Sequence, residues 1–365
     1  MKVAIVHDWL VGGGAERVVE ELHALYPDAP IFTSYCSDEW RRKLDGKVVT
    51  GWLQHLGKMR KFLALGRIWW FSRLDLSEYD LVISSSGNGE AKGVKTRKDA
   101  VHIVYCHTPT HFYWRFYKQY LKNPGFGFFN PIARVGLRLL VRPLRSWDYK
   151  AAQKPDFFIA NSRHIQSEIK EFYGRNSVVI HPPINIKRFQ ASHGSKSPRS
   201  GFVTASRQVP QKRFDLIIKA CNELQLPLTV IGRGPEHNNL LKIAGDTVTF
   251  RTNVTDEEMP RLFSGAEAFI FAAYEDFGVT PVEALATGTP VIAYKKGGAL
   301  DYIQPGVNGE FFDVQSVPSL CAALQKFNAQ NYSEKTIRES AVQFSDEVFK
   351  ESFKKFVKKV IERKV

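Results

Sequence analysis

Short apolar runs recur along this chain, and nearly every one is followed by a stretch of helical periodicity. Residues 2–6 (KVAIV) come first, then 13–25, where Val18, Val19, Leu22 and Leu25 share one helical face. Further runs lie at 80–84, 101–105, 156–160 and 177–181, and again at 202–205, 228–231, 247–250, 268–271 and 291–294. A strand that is apolar at consecutive positions must be covered on both faces, and helices between strands supply that cover. The pattern predicts doubly wound parallel sheets of the α/β class. A polar Gly/Ser/Pro run at 193–201 splits the series. Two domains with a cleft between them are therefore expected, at 1–192 and 202–344. Residues 345–363 predict a last amphipathic helix, with Phe349, Phe353, Val357 and Val360 on one face.

With 44% hydrophobic and 24% charged residues, the chain has enough apolar surface to offset its ordering entropy, which excludes a disordered protein. The formal charge is +14, which invites nucleic acid, an anionic membrane or a phosphorylated substrate. The N-terminus lacks the long apolar core of a signal peptide. The most apolar long stretch, 132–147, is interrupted by Arg134, Arg138, Arg142 and Arg145, so no membrane span is expected. Cys36, Cys106, Cys221 and Cys321 are too scattered for a zinc site or disulfide framework. Four buried thiols in a reducing cytoplasm are expected.

Chemistry concentrates at strand ends. Gly12-Gly13-Gly14 follows the first strand and opens the first helix, where backbone amides favour an anion. The sixth position from Gly12 is Arg17 rather than glycine, which argues against a dinucleotide fingerprint, and no Walker A loop occurs. Arg207 and Lys212 follow the first strand of the second half, suited to grip a diphosphate as a fork and a point charge. Glu275 lies in a strand-to-helix loop and Glu283 eight residues on, where Thr280-Pro281-Val282-Glu283 also reads as a capping box. Two such carboxylates suit the hydroxyls of a sugar or ribose, beside the free amides of a helix start at 279–282. His107 ends a strand in the first half, and Asp8 precedes the glycine turn as a candidate acceptor-side contact.

Taken in order, these pieces resemble the retaining glycosyltransferases of family 4. The first half contributes the glycine turn, His107-Thr-Pro, Ala160-Asn161-Ser162 and His181-Pro-Pro-Ile-Asn185 with Phe189. The second contributes Ser206-Arg207 with Lys212, Gly232-Arg233-Gly234-Pro-Glu, Val254-Thr-Asp-Glu, an E-x7-E element at Glu275/Glu283, Gly288-Thr-Pro-Val-Ile and Gly297-Gly298. The resemblance implies a GT-B fold of two facing Rossmann-like domains with a deep inter-domain cleft. It implies that the C-terminal helix rejoins the first domain, an acceptor domain, while the second holds a nucleotide-sugar donor. Arg207 and Lys212 would neutralise the diphosphate, Glu283 would hold the ribose, and Glu275 the donor sugar. Gly278, Val279 and Thr280 would meet phosphate or sugar, with Arg233 also on the donor side. His107 would lie near the donor sugar, and Gly12 and Gly13 would face the diphosphate. No metal and no cofactor are implied. The chain departs from the family's habits at Ser206, Asp276 and Asp301.

The charge is uneven. Residues 41–73 hold nine basic residues and one acid, and 92–145 hold eleven and one. The first stretch also carries Trp69-Trp70-Phe71, a mixture suited to an anionic bilayer. The resulting expectation is a hexosyltransferase of cell-surface polysaccharide synthesis, cytoplasmic and peripheral on the inner membrane face. Its donor would be a UDP-sugar first and GDP-mannose next, and its acceptor a saccharide or lipid-linked saccharide. The alternatives are a non-catalytic nucleotide-sugar binder and, on charge alone, a nucleic-acid binder; no nucleic-acid-binding motif supports the latter.

Overall fold

The computed structural model describes residues 1–364 except 123, 125, 126 and 191–198, together with all described side chains but those of 58–62. The expected linker at 193–201 therefore lies largely outside the described residues. The chain forms two compact units, Met1–Pro182 with Phe349–Val365, and Pro183–Val348.

The first unit holds seven parallel strands: β1 (Val3–His7), β2 (Ile31–Thr33), β3 (Val48–Thr50), β4 (Leu81–Ser86), β5 (Val101–Cys106), β6 (Phe157–Ala160) and β7 (Ser177–Val179). Their order is β3-β2-β1-β4-β5-β6-β7. Alternate residues serve opposite faces, as a pleated strand requires. Ile5, Ile83, Ile103 and Ile159 join Val18, Val19 and Leu22 in one core cluster. Ala4, Val6 and Val82 pack on the other face with Phe71 and Leu76. The terminal helix Asp346–Lys364 adds Phe349, Phe353, Val357 and Val360 to the first of these clusters.

The second unit is a six-stranded parallel sheet of β8 (Phe202–Ala205), β9 (Leu228–Ile231), β10 (Val248–Arg251), β11 (Ala268–Phe271), β12 (Val291–Tyr294) and β13 (Gly309–Phe312). The order is β10-β9-β8-β11-β12-β13. Val203, Phe269 and Val291 face one cluster, and Phe202, Ile270 and Ile292 the other. Ile184, Ile186 and Phe189 sit in the first of these, so the chain enters the second unit at Pro183, ahead of the expected boundary at 192. Both sheets are Rossmann-like, and the architecture is the α/β GT-B fold.

Two local readings change. The helix after β11 spans Val279–Ala286 with Gly278 at its cap and no side-chain capping bond. The capping box Thr280–Glu283 therefore does not form, because the helix starts too early to place Thr280 at the cap. The Trp69-Trp70-Phe71 face is also not continuous. Phe71 is core, and only Trp69 is strongly exposed, with the Arg73 guanidinium 4.4 Å above its ring. All four cysteines are buried and free, and no described helix is long and apolar enough to cross a membrane.

Candidate active site

In the second unit, the loops leaving β8, β9 and β11 meet at the carboxyl edge of the sheet, where ligands of open α/β sheets bind. A small pocket there is lined by Ser206, Lys212, Glu275, Gly278, Thr280 and Pro281, among others. Lys212 Nζ donates to Glu275 Oε1, joining side chains that are each about one-quarter exposed, 24% and 25%. The pair thus fixes two of the expected donor-site groups together while leaving both within reach of a ligand.

The rest of the loop is held by backbone geometry. Gly278 has φ 88°, and a Cβ there would lie 2.8 Å from the Tyr302 hydroxyl and 2.9 Å from the Phe271 ring. Only glycine can make that turn. Gly298 N donates to Glu275 O at 3.0 Å, so the glycine pair after β12 anchors the Glu275 loop. Val279 and Thr280 are half-buried at the helix start, while Glu283 is 6% exposed, on the interior of the same helix. Arg207 and Arg233 are both exposed, on loops stitched together by Gln208. Gln208 N donates to Arg233 O at 3.2 Å and Gln208 Nε2 to Gly232 O at 2.8 Å. Its carbonyl accepts from Glu236 N.

The corresponding edge of the first unit is built differently. His7 Nδ1 lies 3.0 Å from Ser85 O, and a carbonyl only accepts, so that nitrogen carries the proton. Ser85 Oγ, also 3.0 Å from His7 Nδ1, then donates to His107 Nε2 at 2.8 Å. His107 keeps its own proton on Nδ1, for which no partner occurs among the described residues. Burial, with His7 beside it, lowers the His107 pKa to about 3. It is a neutral hydrogen-bond donor, not an acid–base group, at ordinary pH.

Asp8, expected on the acceptor side, instead accepts from Gly87 N and Asn88 N at 2.7 Å and Ala91 N at 2.8 Å. Only 2% exposed, it holds the loop after β4 rather than offering a free carboxylate. The glycine turn is also partly occupied: Gly12 N donates to Glu16 Oε1 at 3.0 Å. Gly13 has an extended φ of 167°.

Comparison with known proteins divides the chain in the same way. Residues 12–188 match the family model described as Glycosyltransferase Family 4, and residues 185–344 match Glycosyl transferases group 1. Both halves are glycosyltransferase domains. A GDP-mannose-dependent alpha-(1-6)-phosphatidylinositol monomannoside mannosyltransferase of Mycolicibacterium smegmatis is 26% identical over 53% of this chain and 56% of its own. A D-inositol 3-phosphate glycosyltransferase of Streptomyces bingchenggensis is 27% identical over 42% and 41%. The matched stretches thus span about half the length of these relatives. Anabaena Alr3699/HepE in complex with UDP-glucose superposes with a TM-score of 0.68, covering 98% of this chain and 100% of that one at 18% identity. The lipopolysaccharide outer core galactosyltransferase WaaB gives 0.68 over 97% and 98% at 17% identity. At such identities the likeness is one of fold.

Within the glycosyltransferase domains, three residues were not signalled by sequence spacing. Gln208 joins the loops after β8 and β9, and Glu16 caps the glycine turn. Tyr302 is buried beside Gly278, with its hydroxyl lacking a hydrogen-bond partner among the described residues. None belongs to a recognisable local motif. The signal available for Glu16 was its place in the first turn of a helix behind three glycines.

Proposed function

We propose that this glycosyltransferase is a retaining hexosyltransferase of cell-surface polysaccharide synthesis. It takes a UDP-sugar, or next GDP-mannose, as donor and a saccharide or lipid-linked saccharide as acceptor. The observation that carries this reading is the Lys212–Glu275 pair, seated at the carboxyl edge of a parallel sheet beside an uncapped helix start. In this reading Lys212 and Arg207 turn toward the donor diphosphate and stabilise the charge that grows on it as the glycosidic bond breaks. The amides of 279–280 and Arg233 add to that field, and Glu283 receives the ribose hydroxyls. Glu275, relieved of Lys212, accepts from the donor-sugar hydroxyls. His107 donates from Nδ1 to a sugar oxygen. The cations on these side chains make a metal unnecessary for charge neutralisation. Reaction on one face of the sugar lets the leaving phosphate take the acceptor proton. A glycine-turn contact from Gly13, the neighbour of the occupied Gly12 amide, completes the set.

Membrane association at the cytoplasmic face is part of the same proposal. Arg42, Lys43 and Trp69 supply exposed parts of one basic stretch, and the helix Asn130–Ala152 supplies the other. The mannosyltransferase relative, by its name, acts on a phosphatidylinositol mannoside, an acceptor of this lipid-bearing type. A thermal-shift panel of UDP, GDP and their sugars tests the donor, since a bound donor raises the unfolding temperature. Stabilisation by none of them overturns the reading. Binding without transfer or hydrolysis reduces the protein to a nucleotide-sugar binder. Flotation with anionic liposomes at low salt tests the membrane arm, and failure to float removes it.

A further inference from the structure

An unassigned feature of the first unit is a groove of about 670 Å³, within the range of small-molecule sites. Its walls include Phe112, Ile132, Leu137, Leu140 and Leu144, with Gly136 among them. The same helix carries its apolar surface outward: Ile132 and Leu139 are each 72% exposed, and Val135 is exposed beside them. Its lining also includes the polar side chains of Arg67, Asn88 and Tyr113. Asn88 lies in the loop that Asp8 pins just past β4, so this part of the lining adjoins the carboxyl edge of the sheet. Tyr113 is 2% exposed, yet its hydroxyl has no hydrogen-bond partner among the described residues. Buried polar groups are ordinarily paired, and an orphan in a ligand-sized groove marks a place for a ligand atom. Arg138 and Arg142 stand exposed on the groove-lining helix.

We infer that this groove holds the hydrocarbon chain of a lipid-phosphate-linked acceptor, with the phosphate end at Tyr113. The occupant follows from charge and polarity together. Apolar walls take a chain, a phenol donor takes an anionic oxygen, and exposed arginines favour an anionic lipid over a neutral one. The word acceptor rests on the proposed transferase activity, but the lipid site does not. It gives the acceptor unit a way to place a saccharide at the sheet edge while its chain lies along the helix.

Binding of farnesyl phosphate to the whole protein, followed by tryptophan quenching below its micelle concentration, tests the site. Trp9, which lines the groove, is the reporter. Wild type binds farnesyl phosphate at least tenfold more tightly than inorganic phosphate. Gly136→Trp fills the groove, because a Cβ at this position meets nothing within 4 Å, and loses at least tenfold in affinity. Leu140→Glu, at a 40% exposed position, loses binding too and serves if the tryptophan variant misfolds. Tyr113→Phe weakens farnesyl phosphate severalfold while leaving farnesol unchanged. Thermal stabilisation by UDP or GDP, read on the same variants, keeps donor binding separate. Farnesyl phosphate binding without any nucleotide effect retains the groove and sinks the transferase reading. Nucleotide stabilisation with unaltered farnesyl phosphate affinity in both groove variants overturns the groove. So does a wild-type dimer that Leu140→Glu converts to monomer, since a second copy would then occupy it.

Discussion

The carboxyl edges of the two sheets share a topology but handle charge in opposite ways. In the first unit the charged groups are buried and committed to one another. Lys92 Nζ reaches Asp148 Oδ1 at 2.6 Å, and Asp148 also accepts from Thr110, Trp114 and Tyr173. Arg67 pairs with Glu90 at 2.9 Å, and both are buried. In the second unit Arg207 and Arg233 are exposed, and Lys212 is held in a partly open pair with Glu275. A buried pair that loses one member leaves an uncompensated charge, whereas a partly exposed pair can exchange its partner for a ligand. The charges of one edge are committed to the fold, and those of the other stay partly open to solvent.

That contrast breaks first at Asp148. Asp148→Ala strips the buried Lys92 of its counter-charge and removes an acceptor from three other donors, and is expected to cost about 3–5 kcal/mol of stability, read by urea denaturation of the full chain. A loss below about 1 kcal/mol would mean that the network is not structural. Lys212→Ala is the complementary case, with a loss of about 3–4 kcal/mol in transition-state stabilisation, seen in kcat/KM for the matched donor. Its unfolding midpoint should stay near wild type. A large drop in that midpoint would place Lys212 among the charges committed to the fold instead.

The buried groups of the first unit should also make stability depend on pH. His107 and His102 fall from 6.5 to about 3 and about 4 through burial. Between pH 6.5 and 4 the unfolded chain therefore binds more protons at these sites, and acid destabilises the fold. Glu90 is raised from 4.5 to about 7 by burial, so the folded chain binds more protons there and its term opposes the histidines between pH 4.5 and 6.5. Two sites against one give a net loss on acidification, each contributing at most about 1.4 kcal/mol per pH unit. Glu90→Gln removes the opposing term and should steepen that loss. A urea midpoint unchanged from pH 7 to 4.5 in both proteins would contradict it. The smallest effect is expected away from both edges. Gly136→Ala in the helix Asn130–Ala152 should stabilise by about 1 kcal/mol, since the added methyl group has open space.

Most of the fold was legible because buried parallel strands must be apolar throughout. The runs at 2–6, 101–105, 268–271 and 291–294 all became strands. The three-residue strands β2 and β3, IFT and VVT, are too short to carry a pattern, and β13 begins with Gly309-Glu310. The pairing of Lys212 with Glu275 was not legible, because they are distant in sequence and joined only by the parallel pairing of β8 with β11.

Asp8 and Glu16 show the same division most clearly. Sequence marked Asp8 as an acid before a glycine turn, a position that suits ligand chemistry, and did not signal Glu16. Only the tertiary structure showed that Asp8 holds amides 87, 88 and 91, and that Glu16 takes the Gly12 amide. By itself the sequence determined the α/β class and the residue types at the strand ends, since both follow from local period and composition. The folded chain decided which charges are available to a ligand, because a carboxylate's partners come from loops that only sheet order brings together.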